Sequence, residues 1–293
     1  MTLYDEGLEL LRAGKIYFAE RFIPYFFASY ACHCFNLRNI LANIYYEHRG
    51  KPDMRLHTLM VAPPGFSKSI FMRQLFDPVM GILNTPTVEA VFEGSCTEAG
   101  FIGTIDKVNG QPVPRMGLAQ EYQNGIVAIE EFAAITKALE QKHSATFEAQ
   151  LNSALFGGEV RKRLAGGLIK YHTNVTLIAG TQTTRFDISG GLGRRFSYIY
   201  WVPTRAEFQA LRDAVREGAN VQLDQPALEN YRNKLLKFQS DLDDLKHIIY
   251  TKDLYDVMAE RPHFEFLIYR KIALGYNLFI ADKISSELEI RLD

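Results

Sequence analysis

A short apolar run, LHTLMVA from Leu56 to Ala62, breaks at Pro63-Pro64-Gly65 and gives way to a helical pattern from Lys68 to Asp77 that stops before Pro78. The run is mostly apolar rather than alternating, so it has no face to turn toward water and predicts a strand buried on both sides. GIVAIEEF, Gly125 to Phe132, repeats the theme, with apolar residues followed by two adjacent carboxylates. Thr87 to Phe92 and Val175 to Ala179 read as further strands. Helical segments lie between them, and the one from Thr146 to Phe156 ends at Gly157-Gly158, a helix stop. Buried strands alternating with helices predict an α/β fold, a mostly parallel sheet with helices on both faces.

Helical patterns flank this core. Leu3 to about Tyr46 is helical in period, broken near Gly14 and Pro24, and HRGKPDM leads out of it as a polar turn. Beyond Pro203 the pattern predicts no strand. Thr204 and Glu207 have the spacing of a capping box opening a helix to Gly218, and Pro226 to Leu242 and His263 to Asp282 continue in helical period. The expected organisation is an N-terminal helical segment (1–50) packed on a core (51–203), followed by an all-helical module (204–293).

Composition excludes several classes. With 47% apolar and 12% aromatic residues the chain can build a large core, and 33 basic against 34 acidic residues leave no overall positive field. Any nucleic-acid contact must therefore be local. Three cysteines are too few for a disulfide framework and fit a reducing compartment, so a cytoplasmic location is expected. Cys32-His33-Cys34 lacks the second paired cluster a zinc site needs and reads as buried helix. Phe22 to Leu37 carries no Asp, Glu, Lys or Arg, but it falls short of the ~20 apolar residues of a membrane span. The opening MTLYDEGLEL does not read as an export signal.

The turn after Ala62 carries candidate chemistry. A phosphate loop points successive backbone N–H groups at an oxyanion, while a lysine neutralises charge and a hydroxyl holds Mg2+. Strand, Pro-Pro-Gly turn, Lys68, Ser69 and helix come in that order, although Ala62 and Ser67 stand where the usual pattern has glycine. The candidate phosphate-binding set is Pro64, Gly65, Phe66, Ser67, Lys68, Ser69 and Ile70. A plain strand-turn-helix with a surface lysine would look much the same. Glu130 and Glu131 favour the nucleotide reading, because phosphoryl transfer needs one carboxylate near Mg2+ and a neighbour to orient the attacking water.

The order of APPGFSKS, GSCTEAGFIGTIDKVNGQPVPRMGLAQEYQNGIVAIEEF, VTLIAGTQTTRFD and GLGRRFSYIYW resembles the AAA+ motor module of the minichromosome maintenance (MCM) replicative helicases, over about Phe26 to Val202. The resemblance implies an AAA+ P-loop core with a C-terminal helical lid, and ATP and Mg2+ as substrate and metal. Lys68 and Ser69 match the phosphate lysine and the Mg2+ hydroxyl. Glu130 and Glu131 match the Mg2+ carboxylate and the catalytic one. Gln182 stands near the family's water-positioning asparagine, and Arg195, with Arg194 beside it, matches the arginine that reaches a neighbouring subunit's nucleotide. Ser67 replaces a glycine that the family commonly exchanges for alanine. Arg261 and Arg270 both qualify as the lid's second sensor.

Two inserted hairpins are expected from the same resemblance. Thr104 to Met116 contains Asn109-Gly110, a strong hairpin-turn signal, and Glu159 to Tyr171 places Arg161, Lys162 and Arg163 beside Gly166-Gly167. Basic residues on such hairpins would grip a DNA backbone, single-stranded or forked, through the pore of a homo-oligomeric ring, hexameric in the family. Lys107 is a further DNA candidate. The expected function is a ring ATPase coupling hydrolysis to DNA translocation or unwinding. The alternatives are a weakly hydrolysing assembly scaffold or DNA loader, and a chaperone-like remodelling ATPase.

Overall fold

The computed structural model describes residues 1–14, 19–38, 53–66, 68–132, 145–164, 166–183, 195–216 and 223–291. Its first helix, α1 (Leu3–Ala13), starts where Thr2 and Asp5 cap each other: the Asp5 N–H donates to the Thr2 hydroxyl at 3.2 Å and the Thr2 N–H to the Asp5 carboxylate at 3.0 Å. Helix α2 (Ala19–Arg38) runs straight through Pro24, so the expected break there does not occur. The proline removes one bond near the first turn at a cost of about 3 kcal/mol. Against it, burying Phe22, Ile23, Phe26, Phe27 and Tyr30 stabilises the helix by roughly 2 kcal/mol each.

The sheet is built from β1 (Thr58–Val61), β2 (Ala90–Glu93), β5 (Ile126–Ile129), β8 (Thr176–Thr181) and β9 (Ser197–Tyr200). These five strands are parallel and lie in the order β2-β5-β8-β1-β9. All residues of β1, β5 and β8 are buried, as their unalternating sequences require. Alternate residues feed two cores. Met60, Ala128, Ile178 and Ile199 face α2 and helix α3 (Lys68–Phe76), which contributes Phe71, Met72, Leu75 and Phe76. Leu59, Val61, Val127, Leu177 and Ala179 face the other side. That side is covered by α4 (Glu98–Ile102), α5 (Leu118–Glu121) and α6 (Ala145–Asn152), the last continuing as a π-helical turn, Ser153–Gly157.

Both expected hairpins are present. Strands β3 (Gly103–Val108) and β4 (Gln111–Met116) pair around Asn109-Gly110, where both residues take positive φ (52° and 78°) as a tight hairpin turn demands. Strands β6 (Glu159–Leu164) and β7 (Gly167–His172) form the second. In the C-terminal part, α7 (Arg205–Arg216) opens on the Thr204–Glu207 box, with N–H to carboxylate at 2.7 Å and the reciprocal bond at 3.2 Å. Helix α8 (Gln225–Asp241) is capped by Asp224, and α9 (Lys252–Ala259) and α10 (His263–Ile280) follow.

This part is not all-helical. Strands β10 (His247–Tyr250) and β11 (Glu287–Ile290) form a separate parallel pair. Each is four residues long and pairs only after a crossover through α9 and α10, so local periodicity carries no trace of it. Its buried residues Ile248 and Ile290 share one apolar core with Leu274, Leu278 and Phe279 of α10, with α1 and α2, and with one sheet face. Among the described residues, no helix is long and apolar enough to cross a membrane.

The Cys-His-Cys segment is interior helix, as expected. His33 bonds Thr176 Oγ1 at 2.8 Å and the Asn124 carbonyl at 3.0 Å, and burial lowers its pKa to about 4. Cys32, Cys34 and Cys96 are free and buried, with burial raising the Cys32 thiol to about 12.

Candidate active site

The C-terminal ends of β1, β8 and β5 lie side by side, and backbone bonds extend the register beyond the strands. Ala62 N–H donates to Thr181 O at 3.1 Å, Glu130 N–H to Glu93 O at 2.9 Å, and Phe132 N–H to Gly180 O at 2.8 Å. Ala62, one residue past β1, is thus still tied to β8 through its N–H. It is fully buried, and its φ is not positive, so alanine meets the position's needs without strain. Positive φ enters at Gly65 (81°), where glycine stands.

Pro63 and Pro64 have no N–H to offer, so the backbone donors of this loop begin at Gly65. Phe66 turns toward Trp201 and Phe208, with ring centroids 5.5 and 5.6 Å away. Pro64 and Ile70 are exposed, and Ser67 lies outside the described residues. The loop ends at the N-terminus of α3, whose first N–H groups and dipole favour an anion.

Lys68 is buried and lies across Gly180. A Cβ on Gly180 would meet the Lys68 stem at 3.0 Å and the Glu130 carbonyl at 2.6 Å. Burial lowers the lysine's pKa, while Glu131 and then Glu130 oppose that shift and favour the ammonium. The Ser69 hydroxyl donates to a Glu130 oxygen, and Gln182 Nε2 donates to Glu131 Oε2 at 3.2 Å. One cation, one hydroxyl, two carboxylates and one amide therefore meet at a single sheet edge.

Among the described residues, no group of three or more His, Cys, Asp or Glu is placed to hold a metal. A hard ion such as Mg2+ takes one or two carboxylates and fills its remaining positions with water and phosphate oxygens. The oxygens of Ser69 and Glu130, already in contact, fit that requirement.

Arg195 sits at the opposite edge. It precedes β9 by two residues, and β9 runs parallel to β1 with Thr58 beside Ser197. A four-residue strand, about 13 Å long, thus separates it from the loop at the far end of β1. Its side chain is exposed, bonded to Asn152 at 2.8 Å and stacked on Phe156 at 4.6 Å. Arg194 lies outside the described residues. Arg261 and Arg270 stack on rings of their own region, Arg261 on Tyr269 and Arg270 on Tyr250 and Phe266, and are not part of the Lys68 cluster.

On the β6–β7 hairpin the basic triplet divides. Arg161 and Arg163 face solvent, but Lys162 points inward, 2.9 Å from Glu98 and 3.3 Å from the Gly103 carbonyl. Successive residues of a strand face opposite sides, so three adjacent cations cannot share one face. Lys162 is therefore corrected from a surface contact to an interior ion pair. The outward face instead gains Lys170, directly across from Arg161. Sequence reading missed Lys170, although period-2 counting along LIKYH would have found it. Lys107 is exposed on the other hairpin.

The geometry defines an α/β protein with a five-stranded parallel sheet flanked by helices, consistent with a Rossmann-like or P-loop fold, and with polar chemistry at the strands' C-terminal edge. No family model matches the chain, and no curated protein matches it.

Proposed function

We propose that the protein is an AAA+ nucleoside triphosphatase that assembles into a ring, with hydrolysis of ATP driving movement along or unwinding of DNA. The observation that carries this reading is the meeting of Lys68, Ser69, Glu130, Glu131 and Gln182 at one sheet edge. Lys68 and the N–H groups from Gly65 onward would bind the phosphates. Ser69 and Glu130 would hold Mg2+, which supplies charge neutralisation on the transferring phosphate. Glu131 would orient and deprotonate the attacking water, with Gln182 fixing the carboxylate's rotamer. Arg195, remote from its own subunit's loop, would serve a neighbour's nucleotide, which makes turnover depend on assembly. Arg161, Arg163 and Lys170 would grip a phosphate backbone.

The test is ATP hydrolysis with and without single-stranded DNA, together with the particle mass in a non-hydrolysable ATP analogue. DNA-stimulated turnover and a closed oligomer are expected. A monomer whose hydrolysis ignores DNA would sink the proposal.

The bond from Gln182 to Glu131 favours a second reading. An amide donating to the general base occupies a carboxylate oxygen that would otherwise receive a proton from the attacking water. The ring would then be an assembly scaffold that binds ATP and hydrolyses it slowly. Equal slow rates in the parent and in Glu131→Gln would select this reading over the motor.

A further inference from the structure

Arg195 is exposed, yet its guanidinium is fixed on two sides. Nη1 donates to Asn152 Oδ1 at 2.8 Å, and Cζ lies 4.6 Å from the centre of the Phe156 ring. Both partners belong to the π-helical turn Ser153–Gly157 or to the residue just before it. Such a turn departs from the regular i→i−4 ladder, so its carbonyls can be offered to other donors.

Two of them are taken by side chains that precede β1. Arg55 donates to Ala154 O at 3.3 Å and to Val175 O at 2.9 Å. His57 Nε2 donates to Leu155 O at 2.8 Å, because its Nδ1 is committed to accepting the Leu177 N–H at 3.0 Å. The His57 ring also meets Phe156 edge-on, with centroids 5.1 Å apart. Arg55 is held in turn by Asp53, and its carbonyl accepts from Lys271 at 2.8 Å. A continuous set of contacts thus runs from the start of β1, the strand whose other end leads into the loop before Lys68, through the π turn to Arg195.

We infer that Asn152 and Phe156 are positioning residues that aim Arg195 at a nucleotide bound by an adjoining subunit, and that Arg55 and His57 anchor them to the strand bearing the subunit's own phosphate loop. The inference rests on the reading of shared sites given above. Arginine carries considerable rotamer freedom, and fixing it before contact lowers the cost of engaging a phosphate. The acceptor is a neutral amide, which orients the guanidinium and leaves its charge available. A carboxylate in its place would orient the same group and compete with the phosphate for it.

The experiment uses the full chain, measuring kcat for ATP in the assembled state, Kd for a fluorescent ATP analogue, and thermal unfolding. Asn152→Ala and Phe156→Leu are expected to lower kcat about five- to tenfold at unchanged Kd, the loss of one hydrogen bond or one cation–π contact. Phe156→Trp, which keeps an aromatic face under the guanidinium, should retain the parent rate. Asn152→Asp, which keeps the hold but neutralises the charge, should lower kcat further without loss of thermal stability. Wild-type rates in Asn152→Ala and Phe156→Leu alongside an inactive Arg195→Ala would overturn this inference alone. A wild-type rate in Arg195→Ala would overturn both the inference and the shared-site reading.

Discussion

At the C-terminal edge of the sheet, residues adjacent in sequence act together, whereas on the β6–β7 hairpin adjacent residues are driven apart. Glu130 and Glu131 both reach the field of Lys68, while Arg161 and Lys162 face opposite sides. The difference is position relative to the hydrogen-bond ladder. Arg161 to Arg163 lie inside a paired strand, where the pleat enforces alternation. Glu130 and Glu131 come just after β5 ends, and although the backbone still bonds to its neighbours, two successive N–H groups point toward β2, to Glu93 O and Gly94 O, so the regular alternation of the ladder is broken there. Neighbours converge at strand ends and separate within strands.

Breaking the converging edge should have the largest effect. Under the proposed function, Lys68→Ala is expected to reduce ATP hydrolysis by about 100-fold or more, since it would remove the cation from the proposed phosphate position. Steady-state hydrolysis checks this, and an unchanged rate would refute the site. Gly180→Ala should destabilise the fold by about 2 kcal/mol, because the new methyl group meets the Glu130 carbonyl and the lysine stem. Its denaturation midpoint should fall. A midpoint equal to the parent's would mean that the edge is loosely packed.

Acid should weaken the sheet's interior next. His33 and His57 are buried and neutral, with pKa values lowered to about 4 and about 3, chiefly by burial. The unfolded chain binds these protons near pH 6.5 and the native one does not, so stability falls as pH drops from about 6.5 toward those values. The loss is about 1.4 kcal/mol per pH unit for each histidine. Denaturant titrations at pH 7 and pH 5 measure it. His57→Gln should flatten the dependence, and an equal slope in that variant would contradict the assignment.

The diverging hairpin provides the finest test. Replacing Arg161, Arg163 and Lys170 by alanine should leave the denaturation midpoint in place and, under the proposed function, reduce the salt slope for single-stranded DNA binding by about 2. Lys162→Ala should do the reverse, costing about 1–2 kcal/mol of stability through Glu98 with little change in DNA affinity. Similar behaviour of the two variants would erase the distinction between the faces.

Four strands of the sheet, β1, β2, β5 and β8, were legible because their apolar runs are bounded by turn residues, and the Asn109-Gly110 hairpin because its turn demands those residues; the edge strand β9, only four residues long and with its last residue exposed, was not read as a strand. Strands β10 and β11 were not, since four residues paired across α9 and α10 leave no local period. The helix through Pro24 was misread for a related reason: its aromatic residues recover the cost of the proline only once the sheet and α10 are beside them.

The sequence by itself determined which residues could carry phosphate chemistry and in what order they come, because Lys68-Ser69, Glu130-Glu131 and Arg195 are local facts of composition and spacing. Only the tertiary structure decided that Ala62 stays tied to β8 just past the end of β1, that Gly180 makes room for Lys68, that Lys162 is interior, and that Arg195 lies at the far end of the sheet from its own loop. Each of these depends on register between segments distant in the chain. Register is set by the packing of whole strands and helices, which no short stretch of sequence contains.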